Sequence, residues 1–221
     1  MAVRTKKPTA PELGRKSAYV LRNRAALLKA TQEVLAVKGH AATVEDIAAH
    51  ADIAVSTVYK HYKDKDALIA ASIMTAFQEW EIWAESFVSD SSDPLEQLVV
   101  PMRVFVRLHQ THPHHALTLV NFFDVTARIV PQLQEKLSSH IKSLCKAGIL
   151  KLDNPATTAK SLHAVLTFAV INQVIDPKST VKDCDDAVRI ALEMLGLSPA
   201  KAKKLVSHPI TGLKLTNPSS L

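Results

Sequence analysis

The segment ADIAVSTVYKHYKDKDAL, residues 51–68, places two tyrosines, one histidine and three lysines within a few predicted helical turns. Val58 and Tyr62 lie one turn apart on one face and are expected to pack inward. Val55, Ser56 and Lys60 are then left outside. The DIA residues 52–54 are too few for anything except a tight turn. The segment therefore predicts a short helix over about 55–62 that buries one face and exposes a polar, cationic one.

The preceding residues predict a second short helix that begins after Thr43. The Thr43 hydroxyl can cap the free N–H of Asp46, and Glu45 and Asp46 stand where the helix dipole favours acids. Upstream, apolar residues at helical spacing, including Leu21, Ala25, Leu28 and Leu35, predict a first helix over about 19–38. Gly39 is expected to terminate this helix by adopting a left-handed conformation after its last turn.

Two short helices joined by a three- or four-residue turn form the helix-turn-helix unit. In that unit the second helix enters the DNA major groove and the first lies across the backbone. Val55, Ser56 and Lys60 are therefore candidates for contacts with bases. A second set of side chains would bond phosphates and set position: Thr43, Thr57, Tyr59, His61 and Lys65. The alternative is an ordinary helical hairpin with a polar surface.

The segment GHAATVEDIAAHADIAVSTVYKHYKDKDAL, residues 39–68, resembles the DNA-binding region of the TetR family of bacterial regulators. The features that carry the resemblance are Gly39, Ala42-Thr43-Val44, Ile47-Ala48, Thr57-Val58-Tyr59, His61-Tyr62, Lys65 and Leu68. The resemblance implies an N-terminal three-helix DNA-binding domain followed by a C-terminal helical bundle for effector binding and dimerisation.

Two positions depart from the family pattern. Asp52 stands where the family usually has glycine in the turn, although Asp tolerates a left-handed conformation better than most residues. Ala54 stands where serine often caps the groove helix, so one cap is missing. Neither change abolishes the unit, but both affect the detailed set of contacts.

The charge of the chain is concentrated at its front end. The net charge is +6 over 221 residues, and residues 1–70 hold 12 Lys/Arg against 7 Asp/Glu. A basic front end on a near-neutral body indicates a polyanionic partner for that end, or else a solvated tail. We expect a flexible basic arm over 1–18, a helix-turn-helix domain over 19–64 and a helical body over 65–221.

The sequence argues against a β-rich fold, a disulfide-bonded protein and a membrane-spanning protein. Glycine is scarce and no strand pattern is convincing, which predicts an all-α fold. Cys145 and Cys184 lie far apart in sequence and form neither a metal-binding spacing nor a disulfide framework, which favours a reducing cytoplasm. No apolar run is long enough to span a bilayer.

The body is predicted to contain helices over about 65–88, 93–110, 114–129, 132–146, 155–175 and 181–195, with a short one near 198–206. The TetR resemblance implies a small-molecule effector in this body, and apolar and aromatic residues favour an apolar or aromatic one. The candidate ligand-binding residues are Trp83, Phe87, Met102, Phe105, His109, Asn121, Phe122, His163 and Asn172. The alternative for each of these residues is that it belongs to the core or the surface and contacts no ligand.

Helix 155–175 is apolar almost all round, which is typical of a helix buried on all sides. One side can face its own core and the other a partner. The resemblance implies a homodimer through 155–175 and 181–195, and a two-fold dimer would present two groove helices to a near-palindromic site. The alternative is a helix 155–175 that is wholly internal.

We expect no metal site, no catalytic site and no cofactor. His109, His112, His114 and His115 are dense in imidazole, but Pro113 interrupts them, so we interpret them as an exposed loop. There is no glycine-rich phosphate loop, no nucleophile elbow and no paired-carboxylate constellation. Cys184 lies among aspartates and would be a poor thiolate.

The leading hypothesis is a homodimeric transcription repressor that a small molecule releases from a palindromic operator. A second hypothesis is a helical small-molecule-binding protein or enzyme with a vestigial DNA-binding head. A third is a regulator that responds to no ligand.

Overall fold

The computed structural model describes residues 10–88 and 93–216, and within these ranges every regular element is helical. The predicted all-α fold class is confirmed. The α-helices are α1 Ala10–Lys38, α2 Val44–His50, α3 Val55–His61, α4 Lys65–Glu85, α5 Pro94–Phe105, α6 Leu108–Thr111, α7 Pro113–Asn121, α8 Phe123–Leu133, α9 Glu135–Lys146, α10 Pro155–Ile175, α11 Val181–Met194 and α12 Pro199–Ser207.

The chain forms two compact units, Met1–Ser72 and Ile73–Leu221. The first unit extends beyond the predicted boundary at residue 64 because the first two turns of α4 belong to it. Leu68 and Ile69 are buried there. The Ser72 hydroxyl donates to the Leu28 carbonyl at 3.2 Å. Helix α4 therefore starts in the first unit and continues into the second.

Helix α1 begins earlier than the sequence predicts. Residues 10–18, expected to be part of a flexible arm, are helical, and residues 1–9 of that arm lie outside the described residues. Pro11 does not oppose this extension because amides in the first turn of a helix need no intrahelical partner.

Among the α1 residues whose side chains the structure describes, 18–38, the buried ones lie between Leu27 and Leu35. Leu28 and Leu35 are buried as predicted, but Leu21 and Ala25 are exposed. The first unit is small, so α2 and α3 cover only part of a 29-residue helix.

The second unit is built around α10 and α11, whose buried residues include Leu162, Leu166, Val188 and Leu192. Helices α5, α9 and α12 pack on this pair. No helix in the described part of the chain has the length and apolar character needed to cross a membrane.

A buried ion cluster fixes α11 to α5. The Arg103 and Arg107 side chains donate to the two oxygens of Asp185 at 2.9 and 2.6 Å. Arg103 also donates to the His208 carbonyl at 2.6 Å, which holds the chain after α12. Charges removed from water in this way must stay paired, because an uncompensated buried charge is strongly destabilising.

The middle of the second unit is more segmented than predicted. The helices expected over 93–110 and 114–129 are divided into α5 to α8, with breaks at Val106–Arg107, His112 and Phe122. Pro131, expected to lie beyond the end of a helix, lies inside α8. A single proline removes one hydrogen bond from the ladder without always ending the helix.

The turn between α2 and α3 rests on an unusual backbone conformation at Asp52, which has φ 54°. Its amide donates to Ala49 O at 3.2 Å, and the next amide, of Ile53, donates to Ala48 O at 2.9 Å. These bonds end α2 and turn the chain within four residues. The left-handed conformation expected at this position is thus present in a residue that is not glycine.

We predict that Asp52→Val lowers the free energy of unfolding by about 1–2 kcal/mol, because a β-branched side chain crowds a left-handed backbone. Asp52→Gly should change it by less than about 0.5 kcal/mol, since relief of strain offsets the entropy of glycine. Ala54→Val, at an exposed position of the same turn with φ −64°, is the control and should have little effect. Urea unfolding followed by circular dichroism measures all three. Equal losses for Asp52→Val and Ala54→Val would contradict the prediction.

Candidate functional site

Helix α2 starts from a reciprocal capping box at Thr43. The Asp46 amide donates to the Thr43 hydroxyl at 3.1 Å, and the Thr43 amide donates to Asp46 Oδ2 at 3.0 Å. Lys38, at the end of α1, donates to Asp46 Oδ1 at 2.6 Å. The predicted cap is therefore present, and it also ties α1 to the start of α2.

Helix α3 is held by one face, as the sequence predicts. The Val58 side chain is 1% exposed and that of Tyr62 is 8% exposed. Ala54 stands at the N-cap and makes no side-chain hydrogen bond. Helix α3 therefore lacks a side-chain cap, as the sequence predicts. A helix of seven residues is unstable alone, and burial of Val58 and Tyr62 is what stabilises it.

The opposite face of α3 is polar and open to solvent. Ser56, Tyr59 and Lys60 are exposed, Tyr59 to 52%. Lys60 has no ion-pair partner among the residues that the structure describes. Val55, predicted to lie fully outside, is half-buried because it belongs to the first turn, next to the corner with α2. Ser56 and Lys60 are thus the better-presented candidates for base contacts.

The five predicted phosphate-binding residues surround this face with different accessibilities. Thr43 is exposed and its hydroxyl hydrogen remains free to donate, although its oxygen caps α2. Thr57 and His61 are half-buried. The Lys65 ammonium donates to the His40 carbonyl at 3.3 Å, and its other hydrogens can reach a phosphate.

The second unit contains a cavity of about 420 Å³ among α4, α5, α9 and α10. Of the predicted ligand-binding residues, Met102, Phe105 and His163 line it. Its apolar wall is completed by Phe77, Trp80, Ala84, Val88, Leu98, Pro101, Leu137 and Leu166, and its polar lining by Glu81, Glu85, Gln97, Lys136 and His140.

Comparison with known proteins identifies the first unit. Residues 27–72 match the family described as bacterial regulatory proteins, tetR family. The resemblance to the tetR family is confirmed. No curated protein matches the chain.

The fold of most of the chain resembles that of solved structures. RolR in complex with resorcinol has a TM-score of 0.75 and 18% identity, over 90% of this chain and all of that chain. The fatty acid degradation regulator FadR from Bacillus halodurans has a TM-score of 0.61 and 15% identity, over 86% of this chain and 97% of its own. NalD is the secondary repressor of the MexAB-OprM multidrug efflux pump in Pseudomonas aeruginosa. It has a TM-score of 0.61 and 18% identity, over 79% of this chain and 96% of its own.

Six predicted ligand-binding residues do not line the cavity of the second unit. Trp83 and Phe87 pack edge-on against each other, with ring centroids 4.9 Å apart. Phe122 is buried, Asn121 is half-buried and Asn172 is exposed. His109 is half-buried, and its Nδ1 has no hydrogen-bond partner.

Five cavity residues that the sequence analysis did not select carry most of its chemistry. Phe77 and Trp80 lie three residues apart in α4 and could have been found from the helical spacing of apolar residues. Glu81, Lys136 and His140 gave no signal, because only the packing of α9 beside α4 brings them together.

The histidines near Pro113 are not an exposed loop. They lie in α6, at the start of α7 and at the residue between these helices, and only His114 is exposed. The His112 and His115 rings stack 5.3 Å apart, and Trp83 packs edge-on against His112 at 4.6 Å. Burial lowers the pKa of His109 and His112 and lowers that of His115 to about 4, so these rings are neutral at pH 7. The described residues contain no group of three or more metal-ligating side chains.

The environment of Cys184 disfavours an activated thiol. Cys184 is buried and donates to the Val106 carbonyl at 3.2 Å. Burial, more than the neighbouring aspartates, raises the pKa of its thiol to about 12. The poor thiolate expected at Cys184 is therefore explained mainly by its environment in the core.

We predict that the capping box stabilises the first unit in a pH-dependent way. The hydrogen bonds from Lys38 and then Thr43 lower the pKa of Asp46 to about 2, below the usual value of 3.8. The stabilisation is thus complete above about pH 4 and is lost as pH falls towards 2. Thermal melts of wild type and Asp46→Ala should differ most at neutral pH and converge on acidification. Glu79→Gln, at an exposed position in the middle of α4, is the control. A difference from wild type that stays constant down to pH 2.5 would contradict this account.

Proposed function

We propose that the protein is a DNA-binding transcriptional regulator whose α3 enters the major groove. The observation that carries the proposal is the division of α3 into two faces. Val58 and Tyr62 hold it from behind, and Ser56, Tyr59 and Lys60 are presented to solvent. The tetR-family match over 27–72 supports the same conclusion. Ser56, Lys60 and Val55 would contact bases, and Thr43, Thr57, Tyr59, His61 and Lys65 would contact phosphates.

The proposal includes a homodimer, since a single short helix reads only a few base pairs. Apolar side chains are exposed on one stripe of α10 and one of α11. Phe168 is 58% exposed, which argues against a wholly internal α10, and Ile175, Ile190 and Met194 are also exposed. Exposed large apolar side chains on two helices that pack together favour a protein interface. Helices 155–175 and 181–195 therefore remain the proposed dimer contact.

The effector is proposed to be a small apolar or aromatic molecule bound in the cavity of the second unit. RolR, which shares the fold, is bound to resorcinol, and this supports a small ring-containing ligand. Helix α4 carries Phe77, Trp80 and Ala84 into the cavity wall and begins at Lys65 in the first unit. Its continuity gives a ligand a direct means of acting on the DNA-binding unit. Repression released by the effector, a cytoplasmic location and the absence of catalysis belong to the same proposal.

Variants of α3 test the DNA contacts. After selection of random duplexes on the immobilised protein, Tyr59→Ala and Lys65→Ala should weaken binding to all selected sequences. Lys65→Ala should also reduce the salt dependence of binding, because it removes a cation. Lys60→Ala should cost about 1–3 kcal/mol and relax the preference at one base position. Tyr62→Phe is the matched control, since the Tyr62 hydroxyl is buried without a hydrogen-bond partner.

Two outcomes would contradict this proposal. If no duplex is retained selectively, the alternative of a ligand-binding protein or enzyme with a vestigial DNA-binding head gains support. If Lys60→Ala and Tyr59→Ala bind the selected duplex like wild type, the contact assignment is wrong.

The dimer is tested by placing a charge on the exposed stripe of α10. Phe168→Glu should raise the dimer dissociation constant at least about 100-fold, because an unpaired buried carboxylate costs several kcal/mol. Ile82→Glu, at an α4 side chain that is 72% exposed, is the control. Sedimentation equilibrium gives the dissociation constants. A Phe168→Glu protein that remains as dimeric as wild type would refute the assigned interface.

A further inference from the structure

The cavity has one continuous aromatic wall. The Phe77 and Trp80 ring centroids are 5.6 Å apart, and those of Trp80 and Phe105 are 5.4 Å apart in an edge-on arrangement. His163 stacks on Phe105 at 6.3 Å. Together with Met102 and Leu166 these rings form a surface suited to a flat apolar body. A cavity of about 420 Å³ accommodates one or two fused rings with a short substituent.

The charged groups on the opposite side are not balanced. The Lys136 ammonium makes a short ion pair with Glu85 and lies 4.0 Å from the nearer Glu81 oxygen. One ammonium group therefore serves two carboxylates. The Glu81 side chain is only 25% exposed, so water compensates its charge incompletely. Burial accordingly raises the pKa of Glu81, whereas the Coulombic effect of Lys136 lowers it.

The two histidines that line the cavity do not supply the missing positive charge. Burial lowers the pKa of His140, with a further contribution from Lys136, and burial lowers that of His163. Both imidazoles are neutral at pH 7. The charged groups of the lining are then Glu81, Glu85 and Lys136, which leave a net charge of −1. This field repels carboxylates and phosphates and attracts cations.

We propose that the cavity binds an aromatic monocation, such as a protonated arylalkylamine, with its ammonium group at Glu81 and its rings against Phe77, Trp80 and Phe105. The cation completes the charge balance that Lys136 leaves open, and its rings replace water on the aromatic wall. The consequence for regulation rests on the proposed function, but binding itself does not require DNA.

The test compares three probes that share one ring system and differ in charge: 2-naphthylmethylammonium, 2-naphthylmethanol and 2-naphthoate. Calorimetry with the full chain, without DNA, should give an affinity for the ammonium probe at least about tenfold above that for the alcohol. The carboxylate should not bind measurably. In Trp83→Phe, Trp80 is the remaining tryptophan, and the ammonium probe should change its fluorescence.

Single variants assign the charge. Glu81→Gln should weaken binding of the ammonium probe at least about tenfold and leave the alcohol unaffected, since only the charge interaction is removed. Glu79→Gln, at an exposed position of α4 outside the cavity, should change neither. Thermal melts verify that both variants fold. Glu85→Gln, which removes the other carboxylate, is an independent second variant that should also weaken binding of the ammonium probe.

Three results would overturn the inference: equal binding of the alcohol and the ammonium probe, preference for the carboxylate, or no binding of any probe at about 1 mM. Anisotropy of a selected duplex, with and without the ammonium probe, then reports regulation separately. If the ammonium probe binds and no duplex is ever retained, the proposed DNA-binding function fails while the cavity assignment stands.

Discussion

The DNA-binding proposal depends on the burial of two side chains of α3. A seven-residue helix does not persist in water by itself, so the inward packing of Val58 and Tyr62 determines both its existence and its orientation. That orientation turns Ser56, Tyr59 and Lys60 outward together. The left-handed backbone at Asp52 and the Thr43 cap define the corner from which α3 departs. Each of these features would be unremarkable alone, and together they specify one exposed face.

The second unit depends on a different requirement. Its apolar helix faces must be buried although its middle part is divided into short helices. Pairing of Asp185 with two buried arginines holds α5 and α11 together. The cavity lies where α4, α5, α9 and α10 do not fill the space between them. Its aromatic wall and unequal charges define the ligand chemistry more sharply than its volume does, because apolar pockets of this size accept many flat molecules.

The first unit could be predicted largely from sequence because its signals are local. Caps, a turn residue and an i, i+4 apolar pair act within a few residues of one another, and the structure reproduces them at Thr43, Asp52, Val58 and Tyr62. The start of α1 could not be predicted, because the sequence around Pro11 gives no strong signal for where the helix begins.

The cavity could be predicted only in part because its polar residues come from helices that are distant in sequence. Met102, Phe105 and His163 were recognised as candidates for a lining, but Glu81 meets Lys136 and His140 only after α9 packs beside α4. The histidines around Pro113 show the opposite error. Their spacing suggested an exposed loop, yet His112 and His115 stack and are partly buried, because α7 begins directly at Pro113.

The most direct test of the central claim is the reactivity of Lys60 towards an amine-acylating reagent, read by mass spectrometry with and without a selected duplex. Lys60 is exposed in the free protein, as is Lys151 in the second unit, which serves as an internal reference. The account predicts that DNA protects Lys60 strongly and leaves Lys151 unchanged. A Lys60 that reacts as fast in the saturated DNA complex as in the free protein would contradict the claim that α3 lies in the groove.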